Sequence, residues 1–118
     1  MQRDGKLWTQ LCRSIDVSSR RGFHVEVDIE HDVALFRLDG IVYGVSNICT
    51  HKREAEICNG AIENGTVTCP LHGWMYDIRT GMKTGEAEAP EDAVITLGRG
   101  LQSYPILEHA DYVWTILD

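Results

Sequence analysis

The chain has 118 residues, which suits one ordinary domain with a modest apolar core, and no second folded module is expected. At 43% hydrophobic and 25% charged residues it reads as globular, which excludes a disordered tail, a fibrous repeat and a disulfide-dense scaffold. A formal net charge of −7 disfavours nucleic acid, whose phosphates need Lys and Arg, and favours docking on a basic partner surface.

Residues 1–10 lack the apolar stretch of a secretory signal, and no window approaches the run of about 18 apolar residues of a membrane span, so a cytoplasmic protein outside the membrane is expected. Residues 23–29 alternate apolar with polar, which predicts a half-buried strand. Two β-rich runs, 33–38 and 41–45, flank Asp39-Gly40, a dipeptide that accepts the positive φ values of a type I′ turn, so a hairpin is predicted there. A weak helical pattern covers residues 53–58. Asn64-Gly65 is a second hairpin signal, joining 61–63 to 66–68 and delivering Cys69 at the end of the second strand.

Residues 74–78 form a further strand candidate closed by Thr80-Gly81, and residues 83–90, poor in apolar side chains, read as a loop. The β pattern returns in 94–97, 104–107 and 112–117. No sustained 3.6-residue periodicity appears. The prediction is therefore an all-β fold, a small antiparallel sandwich or barrel over residues 1–118, with residues 46–90 as a loop-rich insert.

That insert carries the chemistry. Cys49-Thr50-His51 is followed, after seventeen residues, by Cys69-Pro70-Leu71-His72, so each of two turns offers one thiolate and one imidazole. Those donors suit iron–sulfur and zinc centres, whereas magnesium or calcium would want carboxylates. A zinc finger usually pairs two close cysteines and then two histidines, and a four-cysteine ferredoxin needs a further cysteine pair; neither order is present. A Rieske centre needs two cysteines on one iron and two histidines on the other, which these two loops supply. A structural zinc module that mediates protein association is the alternative.

The stretch from Cys49 through Cys69-Pro-Leu-His72-Gly73-Trp-Met-Tyr-Asp77, with Thr80-Gly81 after it, resembles the Rieske family motif. Gly60 matches a glycine of the family, and Leu101, Tyr104-Pro105-Ile106 and Tyr112-Val113-Trp114 resemble its closing strands. Pro90 resembles the proline of the loop that covers the cluster, and residues 91–100 look like an insertion. The resemblance implies a Rieske-type β-sandwich with a cluster-binding subdomain at about 46–90. It also implies one 2Fe-2S cluster bound by Cys49, His51, Cys69 and His72. Pro70 fixes φ at the second loop, and Gly73 leaves room where backbone amides approach cluster sulfides.

High-potential members of the family tie their ligand loops with a disulfide, but here the matching positions are Glu54 and Leu71. Trp74 stands where those members place a serine hydroxyl. The potential is therefore expected in the lower part of the Rieske range of roughly −150 to +300 mV, with Tyr76 able to raise it by donating to a ligand sulfur. Cys12 and Cys58 read as small core residues, and His24, His31 and His109 as solvated or packing residues.

The implied role is a ferredoxin, an electron carrier rather than an enzyme. It would pass single electrons from a flavin-containing NAD(P)H reductase to a terminal oxygenase of the aromatic ring-hydroxylating type. The small subunit of an assimilatory NAD(P)H nitrite reductase resembles the same fold and is the alternative. His51 and His72, with ring edges near the surface in the family, would be the electron's way in and out.

Overall fold

A computed structural model describes residues 1–48, 56–70, 73–86 and 100–117. The chain opens with a short hairpin, β1 (Gln2–Arg3) and β2 (Lys6–Leu7), turned by Asp4-Gly5 at φ 55° and 75°. Next come β3 (Thr9–Arg13), β4 (Phe23–Glu26), β5 (Asp32–Leu38) and β6 (Ile41–Ser46). Asp39 and Gly40 join β5 to β6 at φ 52° and 82°, the type I′ geometry expected of that dipeptide. Strands β7 (Ala61–Glu63) and β8 (Thr66–Thr68) follow, turned by Asn64-Gly65 at φ 51° and 74°. The chain continues through β9 (Trp74–Asp77), β10 (Lys83–Glu86), β11 (Ser103–Tyr104), β12 (Ile106–His109) and β13 (Tyr112–Thr115). Helical structure among the described residues is limited to two 3₁₀ turns, Ser14–Asp16 and Ile57–Asn59.

Every strand pairing among the described residues is antiparallel. Apart from the first hairpin the described residues form three sheets, in the orders β11-β6-β5-β4, β12-β13-β3 and β10-β9-β8-β7. The last is the sheet of the predicted insert. All-β architecture is thus observed as expected.

Strand β5 explains how the sheets assemble. Ala34 and Phe36 point into one core with Val45, Ile57, Cys58, Val67, Cys69, Tyr76, Ile78 and Leu101. Val33 and Leu35, on the opposite face because side chains alternate along a strand, pack with Val17, Val42, Tyr104 and Val113. The first core lies under the insert, so the site is mounted on β5 and β6. Removing the Phe36 ring would cost about 3–5 kcal/mol.

Arg37 fastens the other end. Its guanidinium donates to the carbonyls of Val17 at 2.9 Å, Ser14 at 3.0 Å and Gly40 at 2.9 Å, and meets Glu108 Oε2 at 3.1 Å. Among the described residues no helix is long and apolar enough to cross a membrane.

The structure corrects several sequence expectations. The strand predicted over 23–29 stops at Glu26, because Asp28 Oδ1 accepts the amides of Glu30 and His31 and turns the chain. Residues 83–86, read as loop, form β10 on the edge of the insert sheet, held by backbone pairing to β9 rather than by an apolar pattern. Pro105 divides the strand expected at 104–107. Tyr104 pairs with Gly44 in one sheet and Ile106 with Thr115 in another. Helical structure near 53–58 is the 3₁₀ turn at Ile57–Asn59, and residues 53–55 lie outside the described residues. The strand predicted at 94–97, and Pro90, lie outside them as well.

Candidate metal centre

Of the four predicted ligands the structure describes Cys69; Cys49, His51 and His72 lie outside the described residues, as do Glu54 and Leu71. Cys69 follows directly on β8 and is 2% exposed. Its amide donates to the Trp74 carbonyl at 2.7 Å, and its own carbonyl accepts from Gly73 at 3.1 Å. These two bonds close the second loop on itself. Gly73 takes φ 72°, a left-handed conformation that a side chain would oppose by about 1–2 kcal/mol.

The first loop is closed by Asn47, which is 1% exposed. The Asn47 amide donates to the Asp32 carbonyl at 2.8 Å, which fixes it to the end of β5. Its carbonyl accepts from Ile57 at 2.8 Å and its Oδ1 accepts from Cys58 at 2.8 Å. Ile48 and Glu56 pair as an isolated antiparallel bridge just above this clamp. Both bases then meet. A Cβ on Gly60 would lie 2.3 Å from the Thr68 carbonyl oxygen, so only glycine lets the return of the first loop press against the strand that delivers Cys69.

Sequence reasoning missed two residues here. Asn47 had a legible signal, a polar amide at the end of a β run and two positions before Cys49. Lys83 had none. It is 2% exposed, and its Nζ lies 3.3 Å from the centroid of the Trp74 ring. A desolvated cation over an indole face gains about 2 kcal/mol, which offsets part of the cost of burying the charge.

Tyr76 is fully buried, opposite Val67 on one side and Lys83 on the other. Burial of the ring rules out a hydroxyl directed at bulk water. Cys12 and Cys58 match their expected packing roles. Burial, with Asp16 nearby, pushes the Cys12 thiol up to about 11. Burial first, then Glu56 and Asp32, raises Cys58. Both thiols stay protonated and unreactive at neutral pH. His24 contacts Asp32, His31 Nδ1 lies 2.8 Å from Asp28 Oδ1, and His109 Nδ1 lies 3.3 Å from Arg3. Among the described residues no group of three or more His, Cys, Asp or Glu converges on a metal position.

The family model described as "Rieske [2Fe-2S] domain" matches residues 7–105, and the chain belongs to that family. It is 36% identical over 74 residues to the anthranilate 1,2-dioxygenase ferredoxin subunit of Burkholderia cepacia, covering 63% of this chain and 59% of that one. It is 42% identical over 57 residues to the 3-phenylpropionate/cinnamic acid dioxygenase ferredoxin subunit of Photorhabdus laumondii, covering 48% and 53%. The matches thus span little more than half the length of these relatives. Among solved structures the Sphingomonas yanoikuyae B1 ferredoxin superposes with a TM-score of 0.78 at 23% identity, over 95% of this chain and all of that one, a likeness of fold.

The cofactor of the family is one 2Fe-2S cluster, and the described residues fit it. A buried thiol stands at the base of a closed turn, next to Thr68, against whose carbonyl Gly60 of the first loop's return is packed. Asn47 Nδ2, also buried, finds no hydrogen-bond partner among the described residues. A buried orphan donor beside an iron–sulfur loop has sulfur as its natural acceptor.

Proposed function

We propose that this chain is a Rieske ferredoxin that carries single electrons from a flavin-containing NAD(P)H reductase to a terminal oxygenase of the aromatic ring-hydroxylating type. The observation that carries the reading is the buried Cys69 thiol in a loop closed by Gly73 and Trp74, against the base of the loop that bears Cys49 and His51. Cys49 and Cys69 would hold one iron and His51 and His72 the other, in residues 46–90 of a single domain. A bound 2Fe-2S cluster of this kind takes up and returns one electron at a time.

The protein's own contribution is placement. The two loops are rigidly based, through Asn47 on the first and the Cys69–Trp74 turn on the second, and the core beneath keeps the cysteine side dry. His51 and His72, as ligands of the outer iron, would be the route by which the electron enters and leaves. An acidic chain of net charge −7 docks by charge on basic surfaces of the reductase and the oxygenase. The relatives named as dioxygenase ferredoxin subunits support this reading over a nitrite reductase subunit. Its expected location is the cytoplasm.

The test is the low-temperature electron paramagnetic resonance spectrum of the dithionite-reduced protein, with iron and zinc analysis. A Rieske signal with low average g and two irons per chain is expected. Zinc without iron, or an all-cysteine signal, overturns the proposal. Turnover in a reconstituted reductase and oxygenase mixture tests the partners, and a preparation active with a nitrite reductase large subunit instead overturns that assignment.

A further inference from the structure

Lys83 is among the largest fully buried side chains of the described residues, whereas the one other lysine that the structure describes, Lys6, is exposed. Its ammonium lies on the face of Trp74, 3.3 Å from the ring centroid. Trp74 is no remote neighbour of the cluster site. Its carbonyl accepts the amide of Cys69 at 2.7 Å, and its ring packs against the core that contains Cys69. Strand β10, which carries Lys83, is separated from β8, which delivers Cys69, by β9 alone. Two strand spacings are about 10 Å.

We infer that Lys83 is a built-in electrostatic tuning residue: its buried ammonium, pinned on Trp74, favours the reduced cluster and raises the midpoint potential. This rests on the ligand assignment of the preceding subsection. Reduction adds one negative charge to the cluster, and a buried cation two strand spacings from Cys69's strand is screened far less than a surface one. Net charge around an iron–sulfur centre is one of the factors that set its potential. The stack on Trp74 holds the charge at a defined place, since the lysine stem would otherwise allow the ammonium to swing toward water. Lys83 is a positioning residue; it donates and accepts no electron.

The experiment is voltammetry of the holoprotein and of three variants, with paramagnetic resonance spectra and melting temperatures recorded alongside. Lys83→Met and Lys83→Gln are expected to shift the midpoint to more negative values with the Rieske signal retained. Lys83→Arg, which keeps the charge, is expected to stay near wild type. Unchanged midpoints in the Met and Gln variants overturn the inference, as does an Arg variant that shifts as far as they do. Loss of the cluster from all three variants also overturns it, because Lys83 is then a packing residue. The wild-type spectrum separates the two questions: absence of a Rieske signal there refutes the ligand assignment, whatever the variants do.

Discussion

The side-chain oxygen of Asn47 accepts the backbone amide of Cys58 at 2.8 Å, and with the Ile57 amide on the Asn47 carbonyl this bond spans the loop that carries two of the four proposed ligand positions. Asn47→Ala strands the buried Cys58 amide, which costs about 1–3 kcal/mol. The expected outcome is a lower melting temperature and fewer irons per chain after gel filtration. Asn47→Asp keeps the acceptor and is expected to retain more iron than the alanine variant; equal retention in both would refute the clamp.

Gly60 has an ordinary backbone conformation, φ −74°, so its requirement is spatial. Gly60→Ala places a methyl against the Thr68 carbonyl oxygen, a backbone atom that cannot swing aside. We expect a loss of about 2 kcal/mol or more in denaturant unfolding, in the range of overpacking, and faster release of iron to a chelator. Wild-type stability in this variant would show that the loop bases are not in contact.

Tyr76 tests the hydrogen bonding of the cluster. Its ring is fully buried between β8 and β10, so Tyr76→Phe removes only the hydroxyl. If that hydroxyl donates to a ligand sulfur, the midpoint potential falls on substitution. A midpoint indistinguishable from wild type disposes of the bond.

Cys12 gives stability a sign in alkaline solution. Its folded value of about 11 lies above the ordinary 9.0, through burial and then Asp16, so the folded chain keeps a proton that the unfolded chain gives up. The contribution is therefore complete below pH 9 and is lost as pH rises through about 11. Cys58 acts in the same direction. Urea midpoints measured from pH 8 to pH 11 are expected to fall, and less steeply for Cys12→Ala. Parallel slopes in the two proteins would contradict the shift.

What could be read from the sequence was local. The turns at Asp39-Gly40 and Asn64-Gly65 depend on two residues each, and both hairpins appear where those residues stand. The Cys/His motif is local too, and the family match confirms what it resembled. Less legible was everything decided by a distant partner. Strand β3 exists because β13 pairs with it, Cys12 opposite Val113, and its own sequence has no alternation. Strand β10 is recruited by β9, and the burial of Lys83 follows from the indole it covers. The early end of β4 was a competition between a β pattern and one carboxylate, Asp28, which the pattern alone could not decide. At the site, spacing marked the candidate ligands, but the part Asn47 plays in closing the first loop depends on partners ten and eleven residues away.

Strand β5 belongs to both cores, with Ala34 and Phe36 on one side and Val33 and Leu35 on the other. Neither half of the protein can therefore open without disturbing the other's wall. Amide protons of residues 33–36 are expected to exchange with solvent only when the whole molecule unfolds, while those of the β1–β2 hairpin exchange by local fraying. The protein should consequently lose its cluster end and its distal end in a single cooperative transition, and an iron-free chain that still folds will be one in which this shared strand has held.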